Sequence, residues 1–146
     1  MRKIKYLLVL CLAVFFTGCN YTGTPVEYAN VCNQANDKKM VEVVGFLDNN
    51  GSAVCSNTSG PMTCPISFKD KLETKEYFNA DIWLGNKASE VENVEGKGLR
   101  IRDNKGEFIE RTDKVKLTGE VTAYSNPTGD PKYACYISTY KIEKAQ

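Results

Sequence analysis

The chain contains no histidine. That absence removes Ser-His-Asp and Cys-His nucleophile activation, histidine general bases and nearly every catalytic zinc site. No phosphate-binding GxxxxGK[ST], dinucleotide-binding GxGxxG, GxSxG or EF-hand pattern occurs, so no cofactor is expected. No CxxC pair occurs either, which argues against a thioredoxin-like redox site and against a four-cysteine zinc site. The basic excess is a single charge: 19 Lys+Arg face 18 Asp+Glu. Charges of both signs alternate, as in Lys69-Asp70-Lys71, the look of a solvated surface rather than of a nucleic-acid footprint. Nucleic acid is therefore not an expected partner. Finally, no apolar run reaches the roughly 20 residues that a bilayer-spanning helix needs.

What is present begins with an address. Arg2, Lys3 and Lys5 precede an uncharged apolar run from Tyr6 to Phe16, the pattern of a signal peptide. Phe16-Thr17-Gly18-Cys19 resembles the lipobox of bacterial lipoproteins. The resemblance implies cleavage after Gly18 and acylation of Cys19, with residues 1–18 as signal peptide and 19–23 as lipidated cysteine and short tether. The alternative is an ordinary secretory signal with an incidental cysteine. Two or three acyl chains on one residue make attachment effectively permanent, because each buried CH₂ contributes about 0.8 kcal/mol. Asn20 follows the cysteine. The absence there of the Asp that tends to retain lipoproteins on the inner membrane points to the outer membrane, facing the periplasm. Loss of Arg2, Lys3 and Lys5 with no acidic residue turns the net charge of +1 into about −2. What remains suits one domain, residues 24–146.

Cys11 leaves with the signal and Cys19 carries lipid. Cys32, Cys55, Cys64 and Cys135 remain, an even set in an exported domain, so two disulfides are expected. Three pairings are open. VCSNTSGPMTC reads as two strand ends around a loop, which favours Cys55–Cys64 and leaves Cys32–Cys135. The short loop would stabilise by roughly 2–3 kcal/mol and the long one by close to 5.

Along the domain, Thr24-Pro25-Val26-Glu27 has the form of a capping box, with Pro at the first helical position. Tyr28, Val31, Cys32 and Ala35 then share one face at helical spacing. These features predict an N-terminal helix fading near Asn36-Asp37. The rest reads as strands. KMVEVVGFL (39–47) and VKLTGEVTAY (115–124) alternate, with Val41, Val43 and Leu47 on one face and Val115, Leu117, Val121 and Ala123 matching them. Gly45 and Gly119 sit mid-strand, where glycine weakens pairing unless the strand bends sharply. Further strands are expected at 62–68, 78–84, 99–102 and 133–143. Asp103 to Gly106 looks like a tight turn making an inserted hairpin with Phe108-Ile109. Residues 85–97 read as polar loop, with one helical turn around Ser89 to Val94.

The glycine-kinked VEVVGFL and VKLTGEV with the closing CYISTYKIEK resemble the OB-fold, in particular small exported domains related to the tRNA-anticodon-binding type. The implied architecture is mainly β: a small OB-like five-stranded barrel with an N-terminal helix and an inserted hairpin. Another antiparallel barrel or sandwich is the alternative. In such barrels ligands meet the face of the second and third strands and two flanking loops, here residues 48–60 and SNPTGDPK (125–132). Tyr124 and Tyr133 flank the second loop, and Tyr136, Tyr140 and Trp83 lie on strands nearby. These aromatics are candidates for stacking on a ligand ring, although strand aromatics also simply pack. Asp81, Glu107, Glu110 and Asp130 are available for a carboxylate acid–base pair, yet no spacing singles out two. The expectation is a non-catalytic, lipid-anchored binding or adaptor module whose partner, beyond the membrane, is an envelope protein or glycan. A carboxylate-dependent hydrolase of envelope polymers and a small inhibitor of an envelope-attacking enzyme are the alternatives.

Overall fold

A computed structural model describes residues 20–49, 53–57, 60–125 and 133–145. The expected signal segment and Cys19 lie outside these residues. Among these described residues nine strands follow in order: β1 (Thr24–Pro25), β2 (Met40–Asp48), β3 (Thr63–Lys69), β4 (Phe78–Trp83), β5 (Val91–Val94), β6 (Gly98–Arg102), β7 (Phe108–Ile109), β8 (Lys114–Ser125) and β9 (Tyr133–Lys144). Strands β2, β3, β4, β9 and β8 form a closed five-stranded barrel, because β8 pairs back onto β2. All contacts around the ring are antiparallel except β4–β9, which is parallel. β1 is an extra strand, parallel to β2 at Val41 and Glu42. It fills the stretch of β2's edge that β3, paired only from Phe46 to Asp48, leaves open.

Alternation sends Val41, Val43, Leu47, Val115, Leu117 and Val121 inward, where each is at most 1 % exposed. Ile66, Phe68, Ile82 and Ile137 complete the centre. The two mid-strand glycines occupy points of close approach. A side chain at Gly45 would strike the Lys69 carbonyl and the Phe68 ring, and one at Gly119 would strike Ile137 and the Ser138 carbonyl. The tightly curled wall therefore has no room for a Cβ at either point. Opposite Gly119 the register of β9 slips: Gly119 faces Thr139 while Thr118 faces Lys141, leaving Tyr140 unpaired as a bulge. Inward positions on β9 change phase there, from Cys135, Ile137 and Thr139 to Ile142.

The expected N-terminal helix is instead two single 3-10 turns, Tyr28–Asn30 and Gln34–Asn36. The capping-box residues serve another purpose: Thr24 and Pro25 pair with β2, and the Val26 N–H donates to the Glu42 carbonyl at 2.9 Å. Asparagine side chains then compete for the backbone. Asn33 Oδ1 accepts from the Ala35 N–H, and Asn36 Nδ2 donates to the Asn30 carbonyl. The apolar face still turns inward at Val31, which is fully buried, and at Tyr28, whose hydroxyl donates to the Phe68 carbonyl at 3.0 Å. Burial and the nearby charges of Asp70 and Glu76 push the Tyr28 hydroxyl up to about 12.

Both favoured disulfides form. Cys32–Cys135 ties the first turn to β9 across 103 residues of sequence, and Cys55–Cys64 closes the segment between β2 and β3.

The inserted hairpin is β6–β7, and it is larger than expected. The segment read as a helical turn near Ser89 to Val94 supplies a third strand, β5, antiparallel to β6. Val91 is buried and Glu92 reaches across to Arg102, a strand pattern that a polar loop reading overlooks. Val91, Leu99, Ile101 and Ile109 join the barrel's hydrophobic core. The turn is built on Asp103, 2 % exposed, whose Oδ1 accepts from the Lys105 and Glu107 N–H groups, both at 2.9 Å. Ser89 and Asn104 fasten this small sheet to β9: the Ile142 N–H donates to Ser89 Oγ, and the Asn104 N–H to the Ile142 carbonyl.

Candidate functional site

Beyond Asp48 the strands β2 and β3 part. β3 continues to Thr63, paired on its other side with β4, and carries Pro65 where no β2 partner remains to miss its N–H. A cleft of about 320 Å³ opens at this fork. Its polar lining is Asp48, Asn49, Ser67, Lys69 and Lys75, and Tyr77 adds an aromatic ring that is 58 % exposed. Lys69 Nζ lies 2.6 Å from Asp48, and Arg111 donates through Nε to the other carboxylate oxygen. The Arg111 hydrogen bond and then the Lys69 bond hold the Asp48 carboxyl below its usual range. Asn49 Nδ2 donates to the Leu99 carbonyl at 2.6 Å, joining the cleft's floor to the small sheet. A second, smaller cleft of about 210 Å³ lies beyond Asn49 and is lined by Lys97, Arg100, Glu110 and Arg111 among others.

The candidate aromatics divide. Trp83 is exposed on β4 and meets Tyr140 edge-on, ring centroids 6.2 Å apart. Tyr140, the bulged residue, stacks at 5.0 Å on Tyr21. Tyr136 is half-buried and sits beside Asn79 and Thr122 in register. Tyr124 is exposed near the far end of β8, opposite Ala134. Six residues of β9 separate Ala134 from Tyr140, about 20 Å of strand, so Tyr124 and Trp83 do not share a site. The Tyr133 side chain, and most of the loop before it, lie outside the described residues.

The carboxylates sit on different elements. Asp81 lies on β4, where burial raises its carboxyl above the usual range. Glu110 pairs with Arg100 at 2.7 Å near the second sheet, and Glu107 is exposed at the hairpin turn. Asp130 lies outside the described residues. Among the described residues no group of three or more His, Cys, Asp or Glu is placed to hold a metal.

Sequence reading passed over Lys75, Tyr77 and Tyr21. The first two were invisible because the fork between β2 and β3 was not foreseen. Tyr21 meets Tyr140 only through the tertiary fold.

No family model matches the chain, and neither a characterised protein nor a solved structure matches it.

Proposed function

We propose that this chain is a non-catalytic, lipid-anchored binding module of the bacterial envelope, held at the outer membrane through Cys19 and recognising a glycan. The cleft at the β2–β3 fork carries the proposal. Its volume falls in the range of small-ligand sites, about 300–1,000 Å³. Its lining combines one exposed ring with carboxylate, hydroxyl and ammonium groups, the mixture that a sugar's apolar face and hydroxyl edge call for. The Cys55–Cys64 bridge, two residues from Ala53 of the lining, stiffens that side of the cleft before any ligand arrives, which reduces the ordering cost of binding. Asp81 on β4 and Glu110, paired with Arg100 of the other sheet, stand on different elements, which favours binding over hydrolysis. A mature charge of about −2 disfavours nucleic acid. Relationship to the anticodon-binding type remains part of this reading through VEVVGFL, VKLTGEV and CYISTYKIEK.

The test is calorimetric titration of the mature, detergent-solubilised protein with soluble peptidoglycan fragments. Binding is expected, weakened at least tenfold by Tyr77→Ala and unchanged by Tyr124→Ala. Turnover of those fragments that Asp81→Asn or Glu110→Gln abolishes would replace this reading with the hydrolase.

A further inference from the structure

Large apolar side chains are exposed at seven described positions, and four of them gather at one end of the barrel. Val54 is 85 % exposed, Trp83 43 %, Met62 41 % and Tyr21 38 %. Backbone contacts bring their segments together. Val54 precedes Cys55, which is bonded to Cys64. Ser56 bridges Thr63, which pairs with Trp83, and the Leu84 N–H donates to the Met62 carbonyl at 2.8 Å. Tyr140 joins Trp83 to Tyr21.

Only Asn20 separates Tyr21 from Cys19. Consecutive Cα atoms lie 3.8 Å apart, so the two residues are within about 7.6 Å whatever the path. A lipid on Cys19 therefore enters the bilayer directly beside this apolar end. Tryptophan and tyrosine suit that depth, since each joins an apolar ring system to a polar N–H or O–H.

We infer that the Tyr21–Tyr140–Trp83 cluster, with Val54 and Met62 on neighbouring segments at its margin, is the face that rests in the interfacial layer of the membrane. This rests on the lipidation of Cys19 proposed above. The face fixes the domain's orientation, which a bare tether leaves free. The cleft borders this face, because Ala53 of its lining adjoins Val54 and Pro65 stands two residues along β3 from Thr63, so the cleft is held close above the headgroups.

Trp83 is the only tryptophan, so the fluorescence of the full lipidated protein reports this face alone. The protein is reconstituted into phosphatidylethanolamine–phosphatidylglycerol vesicles, with and without bromine on the upper acyl chain, and its acylation is checked by intact mass. Expected is at least a twofold loss of Trp83 emission with brominated lipid, and at least a threefold loss of quenching by aqueous iodide relative to detergent-free Cys19→Ser protein. An acylated, vesicle-bound protein whose Trp83 ignores the bromine and stays open to iodide overturns the inference while leaving the anchor standing. Absence of acyl chains on Cys19 overturns both. Shielding of Trp83 by soluble glycan fragments, or by protein concentration alone in the Cys19→Ser form, assigns the face to a ligand or to a second copy and overturns it as well.

Discussion

The barrel wall and the three-stranded sheet that β5, β6 and β7 form are held by different forces. The wall is a closed ladder around buried Val, Leu and Ile, and its strands meet from distant parts of the chain. The small sheet brings four buried aliphatics to the shared core and depends on polar fastenings for its shape. Asp103 organises its turn, and Ser89 and Asn104 dock it on β9. Arg102 bonds Glu92 and the Gly106 carbonyl, and its guanidinium lies 4.1 Å from the Phe108 ring centroid. Area buried from water therefore governs the wall, and a few satisfied polar atoms govern the insert.

The sharpest way to break this contrast is to open the long bridge. Cys32→Ser with Cys135→Ser frees a loop of 103 residues of sequence and should cost close to 5 kcal/mol in urea denaturation. A loss under about 1 kcal/mol would mean that closure of the wall alone holds the first turn. Next comes Gly119→Val, which forces a side chain against Ile137 and the Ser138 carbonyl. About 3 kcal/mol should be lost, read by the same titration. Asp103→Ala should cost about 2 kcal/mol, because two backbone N–H groups lose an anionic acceptor. Here the measurement is hydrogen exchange: residues 89–109 should lose protection while β8 and β9 keep theirs. Uniform loss would erase the distinction between wall and insert.

The smallest expected effect lies at the join. Asp48 ends β2, and Arg111 follows the small sheet. Its carboxyl is held low in the folded protein, so its contribution is present above the unfolded carboxylate's range and fades as pH falls through the folded value. Asp48→Asn should therefore cost about 1 kcal/mol at neutral pH, and its stability curve should converge with that of the unaltered protein in acid. A difference that persists unchanged in acid would show that shape, not charge, ties the two regions.

The strands of the wall were legible because alternation over nine to twelve residues leaves little choice of inward face. KMVEVVGFL and VKLTGEVTAY each announced a face and, through Gly45 and Gly119, a tight curl. The helix was misread because a capping box describes local options, and Thr24-Pro25 is captured by an open stretch of β2 that no local pattern reveals. β5 was missed because VENV is too short for its period to register against polar neighbours. The grouping of the aromatics was not legible in the sequence. Tyr140 turns toward Trp83 only through a one-residue slip in β9, and Tyr21 arrives from the other end of the chain.

The connectivity of the bridges bears on how the chain is made. Cysteines emerge during synthesis in the order Cys32, Cys55, Cys64 and Cys135. Oxidation in order of emergence would join Cys32 to Cys55 and Cys64 to Cys135, whereas the native pattern nests one bridge inside the other. Closing the sequence separation of 9 between Cys55 and Cys64 costs less chain entropy than closing the 23 between Cys32 and Cys55, so the inner bridge is favoured by its short loop even while Cys32 is free, and Cys32 is left for Cys135.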